Sequence, residues 1–273
     1  MIGEKIRRGV SSGARLTRPS WRSALAALLF AIAIFLLAWG GISLTRSTGR
    51  IASVWLANGL AVAVLLRHAP ADRPLLILAG LIGNVAANVF VGDQAGTALW
   101  LSACNSIEIV TVILAMGQGF LPRDHFSGAA LGRFLVAATT APMLSAGAAT
   151  AWLVWSSGSA PLATFASWYG SDLLGLVIVV PTLLAVSPTD RRMPVVGGLE
   201  RAAIVLTVPA FAALVFNQPD DPILFLIAPT ILVAAFRLRL FWAMLVVAAV
   251  TVIAIIFTAA GIGPIAHARS GLT

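Results

Sequence analysis

The chain has 273 residues, 59% of them hydrophobic and only 10% charged, with a mean hydropathy of +0.97. That balance lies outside the soluble globular range and reads as a polytopic membrane protein. A net charge of +8 does not indicate nucleic acid as a partner, because the basic residues form short clusters between apolar runs, where they orient spans in the bilayer.

In chain order, residues 1–23 are a basic segment read as cytoplasmic. The apolar run behind it is longer than a signal-peptide core and is therefore a retained first span. Nine apolar segments follow one another at 24–42, 51–67, 74–91, 97–116, 134–153, 163–186, 201–216, 222–236 and 240–260. The expected fold is an all-α polytopic helical bundle of about nine transmembrane helices with a cytoplasmic N-terminus. In that arrangement the inner links collect Lys5, Arg7, Arg8, Arg15, Arg18, Arg22, Arg67, Arg73, Arg123, Arg133, Arg191, Arg192, Arg201, Arg237 and Arg239. The outer ones hold only Arg46, Arg50 and Arg269, a strong positive-inside bias. Trp39, Trp55, Trp100, Trp152, Trp155 and Trp168 fall near predicted outer ends, as an interfacial belt would. An odd number of spans leaves the tail, 266–273, outside, so a cytoplasmic domain would require a further crossing.

Polar residues inside the spans are the informative ones. Asn58, Asn84, Asn88, Asn105, Glu108 and Asp172 all interrupt apolar runs. An ionised carboxylate at a span centre costs about 2.5–3.5 kcal/mol on insertion scales, so such groups face the bundle interior. Asn84 and Asn88 are one helical turn apart and share a face with Gly80, while Asn105 and Glu108 share another. Asn58, Asn84, Asn105 and Asp172 fall at similar predicted depth in the outer half. No lysine or histidine lies in any span, so Glu108 and Asp172 have no evident cationic partner and are expected to meet the asparagines. Two readings stay open on chemistry alone: interhelical glue, or a ligand or proton site. The single cysteine, Cys104, excludes an internal disulfide and a cysteine-built metal cage and is read as a packing residue. No cofactor or metal is expected, nor any enzymatic activity in this chain, which carries no Walker, kinase, cyclase or nucleophile-elbow motif.

The stretches "SVWLANGLAVAVLLR", "GLIGNVAANVFVG", "ACNSIEIV", "WYGSDLLGLVIVVPTLL", "AAFRLRL" and "GIGPI" occur in an order that resembles the membrane-associated sensor domain, type 1. The resemblance runs over 24–265. Its matching positions are Trp55, Asn58, Gly59, Gly83, Asn84, Asn88, Asn105, Glu108, Trp168, Asp172, Gly175, Pro181, Arg237, Gly261, Gly263 and Pro264. Leu56, Ile265 and the pair Leu238-Arg239 depart from its pattern.

The resemblance implies a sensory input module of the bacterial inner membrane, placed ahead of a histidine kinase, diguanylate cyclase or phosphodiesterase output in a longer chain. Candidate ligand-binding or signalling residues are Trp55, Asn58, Asn84, Asn88, Asn105, Glu108, Trp168 and Asp172, and none is expected to be catalytic. Expected partners are the lipid bilayer, a small-molecule ligand or membrane partner protein, the cytoplasmic output domain and a second copy in a homodimer. The alternative function is a small-solute or proton-coupled transporter, in which the same carboxyls line a path.

Overall fold

The computed structural model describes residues 21–45, 54–117, 128–185, 196–218 and 223–262. Most of the basic N-terminal segment, Arg46, Arg50, Arg123, Arg191, Arg192, Gly263, Pro264, Arg269 and the tail lie outside the described residues. Among the described residues nine α-helices follow in order: α1 (Trp21–Thr45), α2 (Leu56–Arg67), α3 (Arg73–Phe90), α4 (Ala95–Met116), α5 (Gly128–Ser157), α6 (Pro161–Leu184), α7 (Gly198–Phe216), α8 (Ile227–Arg237) and α9 (Leu240–Ala259). A short 3-10 turn, Leu224–Leu226, leads into α8. Proline in the first turn starts α3 and α6, where its missing N–H has no partner to lose.

All nine apolar segments thus correspond to helices. Seven are long and apolar enough to cross a membrane, whereas α2 and the Leu224–Arg237 segment are shorter. The 12 residues of α2 reach about 18 Å, against roughly 30 Å of hydrocarbon. The predicted span 51–67 is therefore, in its described part, a half-length helix held inside the bundle.

Two packing groups make up the molecule. α1 lies on α3, α2 lies against α6 and α4, and α5 packs on both α4 and α6. α7, α8 and α9 form a second group, and α9 lies against α6. Lipid is as apolar as leucine, so helices in a membrane associate by close fit rather than by escape from water. Small residues supply that fit. Ala137, Ala138, Ala141, Ala146 and Ala149 are fully enclosed along α5. Gly83 on α3 comes so near α1 that a Cβ there would stand 2.3 Å from the Ala31 carbonyl oxygen. Large apolar side chains such as Leu78, Ile82, Leu114 and Leu144 point outward instead.

The described arginines gather at one end. Arg67 donates to the Leu183 and Leu184 carbonyls at the end of α6, and Arg73 to the Leu65 carbonyl at the end of α2 (3.1 Å). Arg133 reaches the last carbonyl of α4, from Met116 (3.4 Å). A guanidinium on terminal carbonyls satisfies acceptors that the helix leaves free. Arg201 stacks over Trp242, and Arg237 is bonded to Glu200, joining α7 to α8. Both partners of that ion pair are well exposed, so Glu200→Gln should lower stability by less than about 1 kcal/mol in denaturant titrations of the purified protein.

At the opposite end Trp100 stacks on Trp152, with ring centroids 5.3 Å apart, Trp152 meets Trp155, and Trp39 meets Phe90 edge-on. This is the expected aromatic cluster, with two exceptions. Trp55 and Trp168 do not belong to it. The backbone N–H of Trp55 donates to the Ser171 carbonyl (3.0 Å), midway along α6, and the indole of Trp168 donates inward to Ser145.

Candidate functional site

Three helices bring the polar residues together because glycines let them. Gly59 of α2 and Gly175 of α6 face each other so closely that a Cβ on Gly59 would lie 2.6 Å from the Gly175 carbonyl oxygen. One on Gly175 would lie 2.0 Å from that of Trp55. This contact sets the first turn of α2 against the middle of α6. Asn105 and Asp172 occupy the eleventh and twelfth positions of helices of 22 and 24 residues, near the middle of α4 and α6.

A chain of donors starts at Trp55. Its indole N–H donates to Oδ1 of Asn58 (3.2 Å), and Nδ2 of Asn58 donates to Oδ1 of Asn105 (3.1 Å). One turn further along α4, the fully buried Glu108 is flanked by Asn58 and Asp172, with no donor in full hydrogen-bonding geometry on either oxygen. Asp172 faces Glu108, with Ser145 and Trp168 on its other side, and its Oδ2 also lacks a donor. Nε1 of Trp168 donates to Oγ of Ser145 (3.0 Å). Cys104 lies buried beside Asp172.

The expected single chamber is in fact two neighbouring clusters. Asn58, Asn105, Glu108 and Asp172 meet, together with Trp55 and Trp168. Asn84 and Asn88 do share a face, as their spacing predicts, but that face turns to Ser102 of α4. Nδ2 of Asn88 donates to Oδ1 and to the carbonyl oxygen of Asn84 (both 2.9 Å), and Oγ of Ser102 donates to the same Oδ1 (3.3 Å). Ser102 and Ser145, both fully buried, were missed in the sequence. Ser102 had a readable signal, three residues before Asn105 on the same face; Ser145 sits in an alanine-rich run that gives none.

The first cluster is rich in acceptors and poor in donors. Two carboxyls with three free oxygens face two carboxamides, each of whose donors or acceptors is partly engaged. Among the described residues no group of three or more His, Cys, Asp or Glu is placed to hold a metal ion. Removing the Asn105 acceptor should be felt: Asn105→Leu leaves the Asn58 amide N–H unpaired and should cost about 1 kcal/mol in unfolding titrations in mixed micelles.

Residues 25–270 match the MASE1 family. The chain belongs to the MASE1 family, membrane-associated sensor domain 1. No curated protein and no solved structure matches it significantly. MASE1 is a membrane sensory domain found in signalling proteins, so this chain is a multi-pass membrane sensor domain. Its polar pair and its glycine contact are thereby features of a sensory, non-catalytic module.

Proposed function

We propose that this MASE1 chain is the input module of a bacterial signalling protein, and that the Glu108–Asp172 cluster is where its stimulus acts. It lies in the inner membrane with a cytoplasmic N-terminus, works as a homodimer, and drives a kinase, diguanylate cyclase or phosphodiesterase output carried by a longer chain. The clustering of described arginines at one end of the bundle supports that orientation. A cysteine at Ala71 should then react with a membrane-impermeant maleimide only after permeabilisation, and one at Gln94 from outside; the reverse pattern overturns the orientation.

The observation that carries the reading is the position of α6. One face of α6 presents Asp172 to Glu108, and its later turns meet α9. Between these turns and α5 lies an apolar crevice of about 340 Å³, lined by Val177, Pro181 and Leu184 of α6, with Leu240 and Met244 of α9. Pro181 removes one backbone hydrogen bond just there. A stimulus that favours one spacing of the carboxyls over another shifts α6, and the crevice gives α6 room to move against α9. Such a signal requires different affinities for the two packings.

Spin labels at Leu174 and Leu245, both exposed, test this in nanodiscs. The distance distribution should change between the wild type and Glu108→Gln. An identical distribution in the wild type, Glu108→Gln and Asp172→Asn would overturn the coupling. Solute flux in liposomes that Glu108→Gln abolishes would reassign the chain as a carrier.

A further inference from the structure

We propose that the acceptor cluster binds one small monovalent cation, a proton or an alkali ion, which enters past Asn88, Asn84 and Ser102. The inference rests on the cluster being the input site and names what it takes up. Three observations meet there. First, Glu108 and Asp172 are buried, face one another and keep three oxygens without donors. Isolated carboxylates in so dry a place need a counter-charge. Second, the described residues supply none nearby. α2, α4 and α6 carry no basic residue except Arg67, which is committed to the Leu183 and Leu184 carbonyls at the far end of α6. The first turn of α2 beside Asn58 offers only about half a unit of positive charge. Third, a second cluster of buried polar groups lies outward of the pair. Asn105 and Ser102 lie on one face of α4; Ser102 is bonded to Asn84 and Asn84 to Asn88. The carbonyl of Asn88 accepts from the backbone N–H of Asp93, in the turn at the end of α3 (3.0 Å).

The donor set also limits the ligand. It consists of oxygens only, which suits hard cations rather than transition metals. Two carboxyls, with carboxamide oxygens already engaged, fall short of the six to eight oxygens of a calcium site. The titratable groups at the pair are Glu108 and Cys104 from α4 and Asp172 from α6. Asn58 of α2 and Ser145 of α5, which also face it, do not titrate.

The test uses the purified chain in nanodiscs, at fixed ionic strength with choline as the balancing ion. If an alkali ion is bound, the unfolding midpoint should rise by about 3 °C on replacing choline with Na⁺, Li⁺ or K⁺. If a proton is bound, the midpoint should ignore these salts, and an infrared carboxyl band should titrate with pH and vanish in Glu108→Gln. Asn84→Leu should slow exchange of the bound cation by about tenfold or more, and an unchanged exchange rate overturns the entry route. A wild type with neither response overturns the proposal, without recourse to any variant, as does a response to Ca²⁺ or Mg²⁺ alone. Should the wild type be unresponsive while the α6–α9 distance still changes in Glu108→Gln, the cation assignment falls and the sensory coupling stands.

Discussion

Gly175→Ala should be the most damaging single methyl that can be added to this bundle. The new Cβ would stand 2.0 Å from the Trp55 carbonyl oxygen and 2.8 Å from its carbon. Both are backbone atoms, which cannot swing away as a side-chain tip does. α2 must move out along its whole first turn or α6 must bend. Overpacking of this kind typically costs about 1–3 kcal/mol, and the upper end applies where backbone is struck. The displacement also breaks the bond from the Trp55 N–H to the Ser171 carbonyl and draws Asn58 away from Asn105. Unfolding titrations in mixed micelles should therefore show a loss of about 3 kcal/mol, and Glu108→Gln should no longer change the α6–α9 distance in this background. Gly147→Ala is the control: nothing stands within 4 Å of its Cβ position, and it should be neutral or slightly stabilising.

The double variant Glu108→Gln with Asp172→Asn should have the opposite sign. Burying a charge is costly unless it is paired, and two like carboxyls in one place disfavour each other's ionised form, so neutral groups of the same volume avoid both costs. Here the two carboxyls face each other without a basic partner, so their wild-type contact is unfavourable before any ligand arrives. Carboxamides keep the volume and add two N–H donors each, which meet the free oxygens of the cluster. The doubly neutral protein should unfold at about 1–2 kcal/mol more denaturing conditions than the wild type, and should hold one α6–α9 distance whatever the salt or pH. A less stable double variant would mean that the pair contributes to the fold through contacts the carboxamides cannot copy. That exchange of stability for responsiveness is common at functional sites.

Much of this site is readable in the sequence because its signals are expensive. An asparagine or a carboxyl inside an apolar run declares that it faces inward, and Asn58, Asn105, Glu108 and Asp172 do meet. The i, i+4 spacing likewise puts Asn84 and Asn88 on one face. Which neighbour that face meets depends on the rotation of α3 against α4, and no residue-by-residue cost fixes that angle; hence Ser102, not Glu108, is the partner. The length of α2 was equally hidden. Hydropathy runs on from 51 to 67, while the helix starts at Leu56, after Trp55 in extended conformation. Gly59 and Gly175 are legible as small residues, but their mutual contact is a fact of three dimensions. The gathering of the described arginines at one end is legible too, because it depends on which links share an end and not on how helices are turned.

α2 is tied to α6 at three heights: the Trp55 N–H on Ser171, Gly59 on Gly175, and the Arg67 guanidinium on the last carbonyls of α6. The two therefore behave as one stiff rod, and Asn58 rides with Asp172. Glu108 and Asn105 ride with α4, which is packed along α5. The cluster thus draws its groups from two packed pairs, α2 with α6 and α4 with α5, and the Trp168–Ser145 bond joins one pair to the other. A change in the separation of Glu108 and Asp172 should therefore be felt by α2 and α6 together, as a shared displacement rather than a local rearrangement.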